Sequence, residues 1–355
     1  MQSIKTKLKV NNKQKTLLAK HAGVARHAYN WGLATCITEY QSTKKPLSAI
    51  TLHKRLVREV KSQNPWYYEV SKCAPQQALR DLERAFKKFL TIPKCGFPKF
   101  KKKGKKDSLY LEGSLKIIQG NYIKLPRIGI VKTYEILPNC RVKNVRISKR
   151  AGNWYISFKY DHQPNPNPKQ GDIIGVDVGI NALATCSDGR KFSNVKAYKQ
   201  AKKRLTRYQR RVSKKKIGSK NRAKAVKRLA EAHKKVADIR ADALHKRTTW
   251  LAKNHSTIVI EDLNVSGMLK NHKLASAIAD CGFYEFRRQL TYKCEWYGSE
   301  LVIADRFYPS SQICSECGEK QKMPLSARTY ECSHCGLTAD RDLNAAVNLE
   351  NYVNK

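Results

Sequence analysis

IIGVDVGINALATCSDG, residues 173–189, decides how this chain is read, because it sets one carboxylate, Asp177, in the middle of an apolar, β-branched run. Two short extended pieces follow, separated by Gly179-Ile180-Asn181 and by Ser187-Asp188-Gly189. The pattern predicts a first strand and a meander folding back on it, with turn residues at each reversal. An acid facing a packed sheet must be hydrogen-bonded, ion-paired or metal-coordinating, since an isolated buried charge is too costly. A turn-capping Asp is the competing reading, and only the rest of the chain separates the two.

The chain has 355 residues, with 71 Lys+Arg against 28 Asp+Glu, a formal charge of +43. That excess is far beyond what solubility requires and points to a polyanionic partner, nucleic acid before membrane. The N-terminal MQSIKTKLKV has no apolar core of a signal sequence, and no stretch approaches the ~18 apolar residues of a membrane span. A soluble cytoplasmic protein, nucleoid-associated when on DNA and without a membrane partner, is expected. Of 11 cysteines, seven are scattered through periodic segments and four form two CxxC pairs. An odd count in that arrangement fits a reducing compartment and a metal site better than disulfides.

Residues 1–10 read as one strand, and residues 13–90 as helices broken near 42–46 and at Asn64-Pro65. The last of them, 76–90, places Leu79, Leu82, Phe86 and Phe89 inward. KCGFPKFKKKGKK (94–106) holds seven lysines and no acid. It is either a flexible linker or, with Phe97 and Phe100 about Pro98, a loop along a phosphate backbone. The candidate contacts are Lys99, Lys101, Lys102, Lys103 and Lys105. From 108 to 160 the pieces YLEG, KIIQGNYIKLPRIGIV, YEIL, VKNVRISKR and NWYISFKY alternate apolar and polar residues between turns, implying a small antiparallel barrel or sheet. The N-terminal strand would join it, making the helical block an insertion. Pro164, Pro166 and Pro168 mark a stiff linker.

Residues 199–253 carry twenty-one Lys+Arg against Glu231, Asp238 and Asp242, with a break at Ile217-Gly218-Ser219. An antiparallel helical hairpin follows, and a single sign of charge favours phosphate contact over a coiled coil of mixed signs. Arg204, Arg207, Arg210 and Arg211 are the candidates. STIVIEDLNVSG (256–267) predicts a strand buried on both faces and ending in Glu261-Asp262. A helix over 282–297 and a strand over 301–304 come next. Cys314-x-x-Cys317 and Cys332-x-x-Cys335, fourteen residues apart and each followed by glycine, give the closed four-thiolate set of structural Zn²⁺. ADRDLNAAVNL (339–349) then opens a helix. Asp340 is a natural N-cap, while Asp342 shares its face with Ala345, Ala346 and Leu349 and so points to the core edge.

Asp177, Glu261 and Asp342 thus stand where elements of one α/β sheet can converge, as metal-ligand acids on a ribonuclease H-type sheet would. Hard oxygen ligands without His suit Mg²⁺ or Mn²⁺, and two such ions support in-line phosphodiester displacement. With the charge, this favours a nuclease or a strand-transfer enzyme. Periodicity leaves Asp262 and Asp340 open as alternatives to their neighbours.

GVDVGINALATCSDG, IVIEDLNVSGM, YKCEWYG with DRFYPSSQICSECG, and CGLTADRDLNAAVNL resemble the ordered blocks of the TnpB (OrfB) family, insertion-sequence proteins related to type V CRISPR effectors. LLAKHAGVARHAYNW and GFPKFKKKGKKDS extend the resemblance N-terminally. It implies an α/β plus β-barrel fold: a RuvC-like nuclease domain at 172–310 and 337–355, with a zinc ribbon inserted at 311–336. A wedge-type β-barrel at 1–12 and 107–162 would carry a helical insertion at 13–106, and 163–171 would be the linker. It makes Asp177, Glu261 and Asp342 the catalytic triad, in preference to Asp262 and Asp340. The implied activity is RNA-guided cleavage of double-stranded DNA, with a guide RNA from the transposon end and a monomer or homodimer as the working unit. A nuclease-independent RNA-guided repressor and a DNA strand transferase are the alternatives.

Overall fold

A computed structural model describes residues 2–44, 47–161, 172–324 and 327–354, and the proline run read as a linker lies outside them. The chain divides into two compact units, residues 1–163 and 164–355.

The first unit opens with β1 (Gln2–Lys9) and a 32-residue α1 (Asn12–Thr43). Asn11, which reads as a strand breaker, also starts the helix: its side chain accepts from the Gln14 amide and the Gln14 side chain reaches back to the Asn11 N–H, a reciprocal cap. Helices α2 (Ala49–Arg55) and α3 (Cys73–Thr91) follow. Then come β2 (Ser108–Glu112), β3 (Lys116–Ile118), β4 (Tyr122–Leu125), β5 (Gly129–Thr133), β6 (Asn144–Arg150) and β7 (Asn153–Tyr160). All pair antiparallel in the order β2-β6-β7-β1-β5-β4-β3. β1 is the hinge of this sheet, since Gln2–Lys7 pair with β7 and Leu8–Lys9 with β5. The first turns of α1 send Leu18 and Ala22 into the sheet core. Its later turns pack Ala28 and Leu33 with Leu52, Leu79 and Leu82 of the helical core.

Two local expectations fail. Residues 134–137 form no strand: the Thr133 hydroxyl bonds the Glu135 carbonyl (2.6 Å), and Ile136 is 81 % exposed. Phe89 is not inward but partly exposed, meeting Phe97 edge to face.

The second unit is built on a five-stranded sheet, β10-β9-β8-β11-β12. Its strands are β8 (Ile173–Asp177), β9 (Ala182–Cys186), β10 (Lys191–Ser193), β11 (Thr257–Glu261) and β12 (Glu300–Ala304). The first three form an antiparallel meander, and β8, β11 and β12 are parallel. The crossover from β10 to β11 is a hairpin of α4 (Ala197–Ser213) and α5 (Lys220–Asn254), with Ser219 capping α5. Between β11 and β12 lie α6 (Val265–Met268), α7 (Ala275–Cys281) and α8 (Phe283–Tyr297). A two-stranded ribbon, β13 (Thr329–Glu331) and β14 (Thr338–Asp340), leads into α9 (Arg341–Glu350). The sheet is covered on both faces. Ile174, Val176, Ile258 and Ile260 pack with Leu251 of α5 and Leu290 of α8, whereas Val259 and Ala304 pack with Leu349 of α9.

Candidate active site

Strand parity decides which acids meet. Ile174 and Val176 face α5 and α8, so Gly175 and Asp177 turn to the α9 face. In β11, Ile258 and Ile260 take the first face and Val259 the second, so Glu261 joins Asp177 on the α9 side. The parallel register pairs Val176 with Ile260, and Asp177 and Glu261 are the next step on each strand. Asp177 is therefore the last residue of β8 rather than a mid-strand acid; the turn to β9 begins immediately after it.

Asp342 arrives from above. A Cβ on Gly175 would lie 1.9 Å from the Ala346 carbonyl oxygen and 2.4 Å from the Glu350 nitrogen, so α9 packs backbone to backbone on β8. Two residues along a strand and one turn back along a helix both span ~5–7 Å. That geometry carries Asp342 over Asp177. Asp340 is occupied otherwise. It caps α9 by accepting from the amides of Asp342 (3.0 Å) and Leu343 (3.1 Å), and it pairs with Lys191 at 2.7 Å.

The carboxylates feel one another. Burial, then the charges of Glu261 and Asp342, push the Asp177 carboxyl well above its ordinary range. Burial also raises Glu261, against the opposing pull of Ser310 and Arg341. Half-buried acids that repel each other suit a divalent cation, which removes the conflict. Among the described residues, the one group of three or more His, Cys, Asp or Glu side chains gathered closely enough to hold a metal ion is the four cysteines; the three acids feel one another's charge but do not form such a group.

Sequence reasoning misses Ser310, Asn344 and Asn348. Ser310 Oγ donates to Glu261 Oε1 at 2.7 Å. Buried Asn348 donates to the carbonyls of Ser310 (2.8 Å) and Ile313 (2.6 Å), and Asn344 donates to Ile313 (2.7 Å) and accepts from the Ser315 amide (3.0 Å). Asparagines spaced four apart on α9 are the available signal, since such residues in an otherwise apolar helix face need partners.

The ribbon brings its four sulfurs together. Cys314 and Cys335 are 3.5 Å apart, Cys317 and Cys332 3.6 Å, and all four ligand atoms lie within 4.8 Å of one another. Tetrahedral Zn–S bonds of about 2.3 Å require sulfurs about 3.8 Å apart. Gly318 and Gly336 both sit at φ 76°, a left-handed position that explains the glycine after each CxxC. Their amides bond back to the Cys314 and Cys332 carbonyls. The backbone N–H groups of Cys335 and His334 hold the Cys332 thiol down to about 6. The thiols compete, however: burial and the other sulfurs push Cys335 up to about 12 against the Leu337 amide. A dication shared by four thiolates fits this donor set.

The basic candidates behave differently from one another. Lys99, Lys102, Lys103 and Lys105 are exposed, as are Arg204, Arg207, Arg210 and Arg211 on α4. Lys101 turns inward, its Nζ 3.7 Å from the centre of the Tyr29 ring and its backbone held by Asn30. At the hairpin tip, a groove of about 470 Å³ is lined by Tyr208, Arg211, Lys214, Lys215, Lys224 and Arg228.

A mixed α/β sheet with acids gathered at its strand ends, and a four-cysteine ribbon leading into the last helix, defines the class. Residues 157–272 match a family model described as a probable transposase, the OrfB type of IS605. Residues 283–349 match a Cas12f1-like TNB domain and residues 1–45 a helix-turn-helix domain. In this chain the last of these segments is one strand and one unbroken helix over its described residues. A protein of Streptomyces pristinaespiralis named "Putative RNA-guided DNA endonuclease" is 35 % identical, over 98 % of this chain and 89 % of its own length. InsQ of Escherichia coli (strain K12), named likewise, is 34 % identical over 98 % and 91 %. The Cas12f1 chain in a complex with sgRNA and target DNA shares the fold, with a TM-score of 0.59 at 14 % identity, over 95 % of this chain and 83 % of that one. The chain belongs to the TnpB (OrfB) family. Among the described residues, no helix is long and apolar enough to cross a membrane.

Proposed function

We propose that this protein is an RNA-guided, divalent-metal-dependent DNA endonuclease whose cutting centre is Asp177, Glu261 and Asp342. The observation that carries the reading is the register of β8 on β11, which sets Asp177 beside Glu261 on the face that α9 covers with Asp342. The names of the full-length relatives support the same activity. In this reading residues 172–310 and 337–355 are a RuvC-type, ribonuclease H-like nuclease with 311–336 as its zinc ribbon. Residues 1–12 and 107–162 are a wedge barrel carrying the helical insertion 13–106.

The three carboxylates would hold Mg²⁺ or Mn²⁺, which supplies activation of water and neutralisation of the leaving oxygen. Ser310 orients Glu261 through its hydrogen bond, and the α9 cap keeps Asp340 out of the site. Guide RNA and double-stranded DNA are the partners, with pairing reading the sequence. The exposed α4 arginines and the 99–105 lysines would hold phosphates, in the cytoplasm and at the nucleoid.

The test is cleavage of a plasmid matching the RNA that co-purifies with the protein, in Mg²⁺ and in EDTA. Cutting in Mg²⁺ that Asp177→Ala abolishes, with RNA still bound, supports the reading. Binding without cutting would leave a repressor, and covalent joining of ends a strand transferase.

A further inference from the structure

Asp262 follows Glu261 directly and has no place in the carboxylate cluster. Parity turns it to the opposite, α8 face of the sheet, where it accepts from two guanidiniums on separate elements. Arg287 comes from α8 and pairs with Asp262 Oδ1; Arg306, just beyond β12, pairs with Oδ2 at 2.5 Å. Both arginines stay well exposed, at 41 % and 51 %, while Asp262 is 23 % exposed. They stand at the mouth of a cavity of about 380 Å³ that Glu261 also lines. Its floor is apolar, with Ile260, Phe283 and Phe286 buried. One carboxylate between two arginines leaves the trio itself with one positive charge. It also fixes both planar forks, the geometry that grips phosphate in two hydrogen bonds.

We infer that Asp262 is a positioning residue, holding Arg287 and Arg306 as a clamp for a phosphate that flanks the scissile one on the cut strand. This rests on the endonuclease reading above. Sugar or base of the same nucleotide would enter the apolar cavity while the phosphate stays on the guanidiniums. Arginines fixed in advance lose less freedom on binding than arginines that must be recruited.

The experiment is steady-state and single-turnover cleavage by the RNA-loaded protein at several salt concentrations. The variants are Arg287→Gln, Arg306→Gln, the two together, Asp262→Asn and the triple combination, each with its melting temperature. Each arginine variant should raise KM about tenfold and lower the salt slope of binding by ~0.7, the value of one phosphate contact on a single strand. Asp262→Asn should lower kcat about tenfold with the slope unchanged, as expected when the two arginines lose their orientation but keep their own charges. Added to the two arginine variants, it should have no further effect.

Unchanged kinetics with a lowered melting temperature would make the trio a structural ion pair and overturn the clamp. A further loss from Asp262→Asn in the arginine-free protein would show that it acts by itself, and would overturn the clamp as well. Failure of the wild-type complex to cut would remove the endonuclease reading and the clamp with it. Cutting that needs Asp177 but ignores the arginines would remove the clamp alone.

Discussion

Gly175 of β8 and Ala346 of α9 meet with no side chain between them: a Cβ at 175 would lie 1.9 Å from the Ala346 carbonyl oxygen. The close approach of α9 to β8 brings the charge of Asp342 within reach of Asp177. Gly175→Ala should force the helix outward, and overpacking of this kind costs about 1–3 kcal/mol or more. Chemical denaturation should show that loss, and guided cleavage should fall by a larger factor than stability alone explains.

Ser310 is the only hydroxyl that the structure hydrogen-bonds to Glu261 among the described residues. Ser310→Ala should raise the Glu261 carboxyl further, because a bond to the charged form is gone. The acid limb of the cleavage pH profile should move to higher pH, with the melting temperature almost unchanged.

Burial and mutual repulsion raise Asp177 and Glu261 in the folded chain above their unfolded values. The contribution of these two groups to the stability of the metal-free protein is then fullest below the unfolded carboxylate range and declines as pH rises through the raised folded values. Divalent ions compete with those protons, so their effect runs the other way. Mg²⁺ should raise the melting temperature more at about pH 8 than at about pH 5.

The ribbon should bind one zinc ion per chain, measurable by metal analysis. Cys314→Ser or a strong chelator should loosen the loop that Asn344 and Asn348 tie to α9. Because Ser310 lies on that loop, cleavage should fall along with zinc content. Restoring Zn²⁺ to the chelated wild type, but not to the variant, should recover it.

Much of the site is legible in the chain. Four cysteines at CxxC spacing need no register to be recognised, and the apolar run about Asp177 marks a strand whatever it pairs with. Where that strand ends is a different matter, since it depends on the turn to β9, and so Asp177 reads as mid-strand. Which of Glu261 and Asp262 shares a face with Asp177 is a question of packing. It follows from the packing of Ile258 and Ile260 under α8, which one strand alone does not reveal. Gly175 reads only as a small residue until α9 is laid on it. YEIL at 134–137 alternates like a strand, but the Thr133 hydroxyl bonds the Asn121 and Glu135 carbonyls, and the segment forms no ladder although Leu137 stays in the sheet core. Ser310 gives no signal, because a serine in a loop has no periodicity.

The most direct measurement is anomalous diffraction from crystals of the protein soaked in Mn²⁺. The expected result is two peaks, about 3.5–4 Å apart, bounded by the carboxylates of Asp177, Glu261 and Asp342 and absent in Asp177→Ala. Manganese bound elsewhere, with no peak among these three side chains, would contradict the assignment of the centre.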